Sequence, residues 1–166
     1  MLKKSIAYTV KFILLVLLQV LILDNFLLFG YINPYVYIIF ILFLPTSINR
    51  SLLLIIGFIL GLCIDLFNDT GGVHAAATLI IAFLRPYILR LSFGLSYDYN
   101  TLNISTADFR SQFLYITIMI AIHHIFLFSF EYLSADLFIK IVKNTLFSLV
   151  LTEIFIIILM KLFNYK

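Results

Sequence analysis

Apolar residues run through this chain in long blocks, and polar residues gather at the block edges instead of recurring along one stripe of an amphipathic helix. A helix needs about 20 mainly apolar residues to cross a hydrocarbon core roughly 30 Å thick. Six blocks approach that length: Phe12 to Phe29, Ile32 to Asn49, Ser51 to Asn68, His74 to Leu91, Ser111 to Phe130 and Ile139 to Met160. Backbone groups find no water in lipid, and the runs lack the alternation of barrel strands, so the expected class is all-α, a polytopic membrane bundle of about six transmembrane helices. The second block has the weakest pattern. Pro34 fits a first helical turn, where its missing N–H costs nothing, whereas Pro45 is expected to bend the far end.

Composition strengthens this reading: 64% of the 166 residues are hydrophobic, 11% are charged and the mean hydropathy is +1.16. No Pro-, Ser- or charge-rich linker divides the chain, so residues 1–166 are expected to form a single integral membrane domain. A net charge of +3, scattered among apolar runs, offers no nucleic-acid surface. The basic residues instead set orientation. With six crossings and a cytoplasmic N-terminus, Lys3, Lys4, Lys11, Arg50, Arg85, Arg90, Arg110, Lys161 and Lys166 fall inside, against Lys140 and Lys143 outside. Both termini are therefore expected in the cytoplasm. The basic start followed by an apolar run resembles a signal peptide without an A-x-A-like cleavage site, and it reads as a first span that is kept. Cys63, alone and in an apolar run, reads as a small buried hydrophobe.

Between the third and fourth blocks the pattern changes. Gly57, Gly61 and Asp65 recur every four residues and share one helix face. Such glycines let a second helix backbone approach closely. Gly71 and Gly72 supply a reversal, and Ala75, Ala76 and Ala77 open the next helix with little bulk. Counting out from the reversal sets Asp65 level with Ala76, and Gly57 level with Leu84 and Arg85. Asp65 is expected to bond backbone N–H groups of the turn, a binding or partner-contact role being its second reading, and His74 to serve as an interfacial cap or a ligand.

Arg85 has two readings: its head extends to the headgroups, or it pairs inside the bundle with Glu153, which lies at similar depth. His123 and His124 are adjacent and so point in different directions, a poor metal pair but able to bond across helices. Tyr31, Tyr35, Tyr37 and Tyr132 read as interfacial anchors. Ser105 and Asp108 have the spacing of a capping box that would start the fifth helix, while the Asn103 sequon reads as chance in a cytoplasmic loop. The sequence holds no Cys/His cluster, H-E-x-x-H, nucleophile elbow or phosphate-cradling loop, so neither an enzyme nor a metal or cofactor is expected.

The 33 residues "GFILGLCIDLFNDTGGVHAAATLIIAFLRPYIL", Gly57 to Leu89, resemble the central segment of the bacterial rod shape-determining protein MreD in its Bacteroidetes-like form. The shared features are the glycine-spaced helix, the aspartate near its end, the small-residue turn, the alanine-bearing helix and the Arg-Pro exit. The resemblance implies a fold similar to the substrate-binding subunits of ECF vitamin transporters. It also implies a non-enzymatic inner-membrane scaffold of cell elongation that binds MreC and helps couple MreB filaments to RodA and a penicillin-binding transpeptidase. Gly57, Gly61, Asp65, Gly71, Gly72 and His74 then become candidates for helix packing or partner contact. The rival expectation is a vitamin-like solute-binding subunit of a transporter, with Asp65, His74, Arg85, His123 or Glu153 lining its pocket.

Overall fold

A computed structural model describes residues 2–26, 32–98, 102–132 and 137–162. The expected positions Phe29, Tyr31 and Lys166 lie outside these ranges. The fold is all-α, with no strand among the described residues. Helix α1 (Leu2–Leu18) continues as a π-helical turn (Gln19–Leu23); a 3-10 turn (Val36–Ile38) leads into the short α2 (Ile39–Leu42). There follow α3 (Arg50–Asn68), α4 (Val73–Phe93), the short α5 (Leu95–Asp98), α6 (Phe109–Tyr132) and α7 (Phe138–Leu162). Among the described residues five helical stretches, α1 with its π turn, α3, α4, α6 and α7, are long and apolar enough to cross a membrane.

The two ends of the bundle are distinguished by their contacts. At one, Asn68 donates to Asp24 at 2.8 Å and Gly71 and Gly72 turn the chain; we call it the turn end. At the other, Arg50 meets Tyr87, and Lys11, Pro45 and Ile104 line one groove; this is the basic end.

The second block departs from expectation. It does cross, from Asn33, which donates to Asp24 at 3.1 Å, to Asn49, which caps the start of α3. It is not, however, a spanning helix: only Val36 to Leu42 is helical. Such backbone survives at membrane depth only inside protein. Accordingly Val36, Tyr37, Ile38, Ile39, Ile41 and Leu42 are fully buried, sheathed by the long helices. Tyr37 is thus a core residue and no interfacial anchor, and Tyr35 sits half-buried among the rings of His74, His123, His124 and Phe128.

Helices α3 and α4 form the closest pair. A Cβ on Gly57 would lie 2.8 Å from Ala82 Cβ, and one on Gly61 would lie 2.5 Å from Ala75 Cα and closer still to Thr78 and His74. The glycine face therefore meets α4 as expected, but in a shifted register: Gly57 opposes Thr78 and Ala82, not Leu84 and Arg85. The cause lies in the turn. Asp69 takes a left-handed conformation that ends α3, so α4 begins with its first N–H groups already beside Asp65. At the basic end α6 starts later than the S-x-x-D spacing predicts. Asp108 is itself the cap, accepting from Ser111 N at 2.9 Å, a bond that holds its carboxyl below the usual carboxylate range, while Asn103 caps the preceding 3-10 turn.

Candidate functional site

Several buried polar residues, among them Gln19, Arg85, His74, His123 and Thr152, bond the second crossing. An irregular strand of chain inside a membrane bundle leaves N–H and C=O groups that neither water nor helix satisfies. From Pro34 to Pro45 this chain meets the demand with side chains. Gln19 Oε1 accepts from Val36 N at 2.8 Å and Tyr37 N at 3.3 Å, and its amide nitrogen donates to Pro34 O at 3.0 Å and Asp24 Oδ1 at 2.7 Å. Gln19 opens the π turn of α1, a local widening of the kind that recurs where a helix serves a special purpose. Thr152 on α7 accepts from Tyr35 N at 3.0 Å.

Arg85 serves the other half. Its guanidinium donates to the carbonyls of Leu42, Leu44 and Pro45, and its Nε to the Tyr115 hydroxyl, which in turn donates to Leu42 O at 3.0 Å. Arg85 is 1% exposed. It neither extends to the headgroups nor pairs with Glu153, which accepts instead from Thr117 on α6. The physical reason is geometric: a planar five-donor fork suits a cluster of unpaired carbonyls, and the second crossing presents one within reach.

Asp65 performs the structural role expected of it. The N-cap of α4 is Gly72, which has no side chain to offer. Asp65, on the preceding helix, supplies the missing acceptors: its carboxylate takes His74 N at 2.9 Å, Ala75 N at 2.8 Å and the Thr70 hydroxyl. A negative group at a helix N-terminus also opposes the positive end of the helix dipole. His74 is therefore the residue capped, not the cap.

The His74 ring turns inward to a connected chain. The Tyr37 hydroxyl bridges His74 Nδ1 at 2.9 Å and His123 Nε2 at 2.8 Å. His123 Nδ1 faces His124 Nδ1 at 3.4 Å, His124 Nδ1 lies 2.9 Å from Ile120 O, and His124 Nε2 lies 3.2 Å from Thr152 Oγ1. For neutral rings the Ile120 carbonyl fixes every hydrogen. His124 carries its hydrogen on Nδ1, so Nε2 accepts from Thr152. His123 Nδ1 must then accept, leaving its hydrogen on Nε2 to donate to Tyr37, which donates to His74. The chain thus ties α4, α6, α7 and the second crossing into one block.

Sequence reasoning missed Gln19, Asp24, Tyr115 and Thr152. Gln19 carried a readable signal, as the one polar residue between Lys11 and Asp24. Gly71 and Gly72 adopt left-handed conformations, φ +64 and +99, with open space where a Cβ would stand.

Comparison with family models, with curated proteins and with solved structures finds no match.

Proposed function

We propose that this chain is an MreD-like, non-enzymatic scaffold of the bacterial inner membrane that binds an MreC-like protein and so helps position peptidoglycan synthesis with MreB, RodA and a penicillin-binding transpeptidase. The observation that carries the reading is how the interior charges are spent. Asp65 and Arg85, both within the segment that resembles MreD, bond this protein's own backbone. They brace a rigid hairpin and the crossing beside it, as a platform for other membrane proteins requires, with four of the five guanidinium N–H groups bonded within the protein. The turn end faces the periplasm on this reading and both termini lie in the cytoplasm, because six of the eight basic residues described with their surroundings (Lys11, Arg50, Arg85, Arg90, Arg110 and Lys161) fall in the halves of their helices toward the basic end, and Lys140 and Lys143 toward the turn end.

The rival solute-binding reading draws on α7, whose buried face is mostly polar. One paired experiment separates them. Affinity purification of the full chain from its own cells is expected to bring down a single-span MreC-like protein, and depletion is expected to round the cells. Normal shape after depletion, together with a melting temperature raised by a vitamin-like solute, would reverse the choice.

A further inference from the structure

Helix α7 is built inside out. Its buried residues are Asn144, Thr145, Ser148, Thr152, Glu153 and Ile156, while Leu146, Phe147, Val150, Ile154 and Ile158 face outward. Four of the polar ones climb the face that meets α6 and the second crossing. At the turn end Asn144 donates to the Tyr132 hydroxyl at 2.8 Å, beneath Lys140, whose ammonium lies 4.3 Å over the Tyr132 ring. About 12 Å further in, at 1.5 Å per residue, Thr152 joins the tyrosine–histidine chain. Between them the hydroxyls of Thr145 and Ser148, residues 7% and 0% exposed, have no partner among the described residues.

Ser92 Oγ on α4 shares this state, but the other described helical hydroxyls do not. The hydroxyls of Thr9, Thr78 and Thr117 each bond the carbonyl four residues back in their own helix. Thr145 and Ser148 forgo that default, and a buried hydroxyl left bare is costly. Polar groups in such a position are the ones that ordered water satisfies.

We propose that the seam between α6 and α7 is hydrated from the turn end, water bonding Thr145 and Ser148 and connecting the Thr152–His124–His123–Tyr37–His74 chain to the aqueous phase on that side. The seam then gives the interior histidines a route for proton exchange, on one face of the membrane only. This stands independently of the scaffold reading.

The test uses the full-length protein in lipid vesicles, in a Cys63→Ala background, with Thr145→Cys, Ser148→Cys and the outward-facing control Val150→Cys. A small cationic methanethiosulfonate reacts with thiolate, which forms in water and not in hydrocarbon. Thr145→Cys and Ser148→Cys are expected to react on the order of tenfold faster than Val150→Cys, from the side that carries the turn end. Rates equal to the control would overturn the proposal. Should a cysteine variant fail to fold, Thr145→Val and Ser148→Ala decide: loss of a water-bonded hydroxyl lowers the melting temperature, whereas a rise in both variants would mean a dry seam.

Discussion

Replacing Gly61 with alanine is expected to destabilise the protein by about 3 kcal/mol or more, the upper range for overpacking, because the new methyl meets backbone as well as the Thr78 hydroxyl. The atoms in its way include Ala75 Cα and His74 O, and neither can move without opening the α3–α4 hairpin. Gly57→Ala meets Ala82 Cβ at 2.8 Å and Thr78 O at 3.2 Å, so its cost is expected to be smaller. Gly71→Ala meets nothing, and only its φ of +64 is unfavourable, at roughly 1–2 kcal/mol. Heating the detergent-solubilised variants and measuring the monodisperse fraction checks this ordering, Gly61 above Gly57 above Gly71. Equal losses at all three would contradict the close contact.

Arg85→Met removes every donor while keeping a similar length, and is expected to cost about 2–3 kcal/mol, since Leu44 O loses its charged donor away from water, while Leu42 O and Pro45 O each lose one donor and keep another, the Tyr115 hydroxyl and Ile48 N. Arg85→Lys should recover only part of the loss, because a single ammonium cannot replace a planar fork over several acceptors. The same heating measurement reads the effect. A headgroup-seeking arginine would be nearly silent in both variants, so wild-type stability for Arg85→Met would refute the role given to this residue.

Much of the bundle was legible because lipid enforces a simple rule. Continuous apolar runs such as those of α3, α4, α6 and α7 can only be helices, and their approximate limits follow from length. The glycine face of α3 and the capping role of Asp65 were legible too, since spacing by four and a carboxylate before a turn each have a local physical meaning. The second block was harder. Its apolar content is that of a span, but its conformation is decided by Gln19, Thr152, Arg85 and Tyr115, which lie far away in sequence and supply the hydrogen bonds a helix would have made for itself. For the same reason Arg85 and Glu153 were matched by depth alone, although equal depth does not fix which face of each helix looks inward. The polar face of α7 was hidden by its own composition: four short polar side chains scarcely lower the hydropathy of a helix whose lipid-facing side is so apolar.

The central claim is that the second block crosses the bundle as buried, irregular chain served by side chains of its neighbours. Side-specific labelling tests it most directly, using single cysteines at Asn25, Ser47, Asp69 and Thr106, all exposed, in a Cys63→Ala background. An impermeant maleimide applied to one face of the membrane is expected to modify Asn25→Cys and Asp69→Cys together, and Ser47→Cys and Thr106→Cys only after permeabilisation, or the reverse pairing from the other face. Labelling of Ser47→Cys from the same side as Asn25→Cys would show that the segment turns back without crossing, and the account of the interior would fall with it.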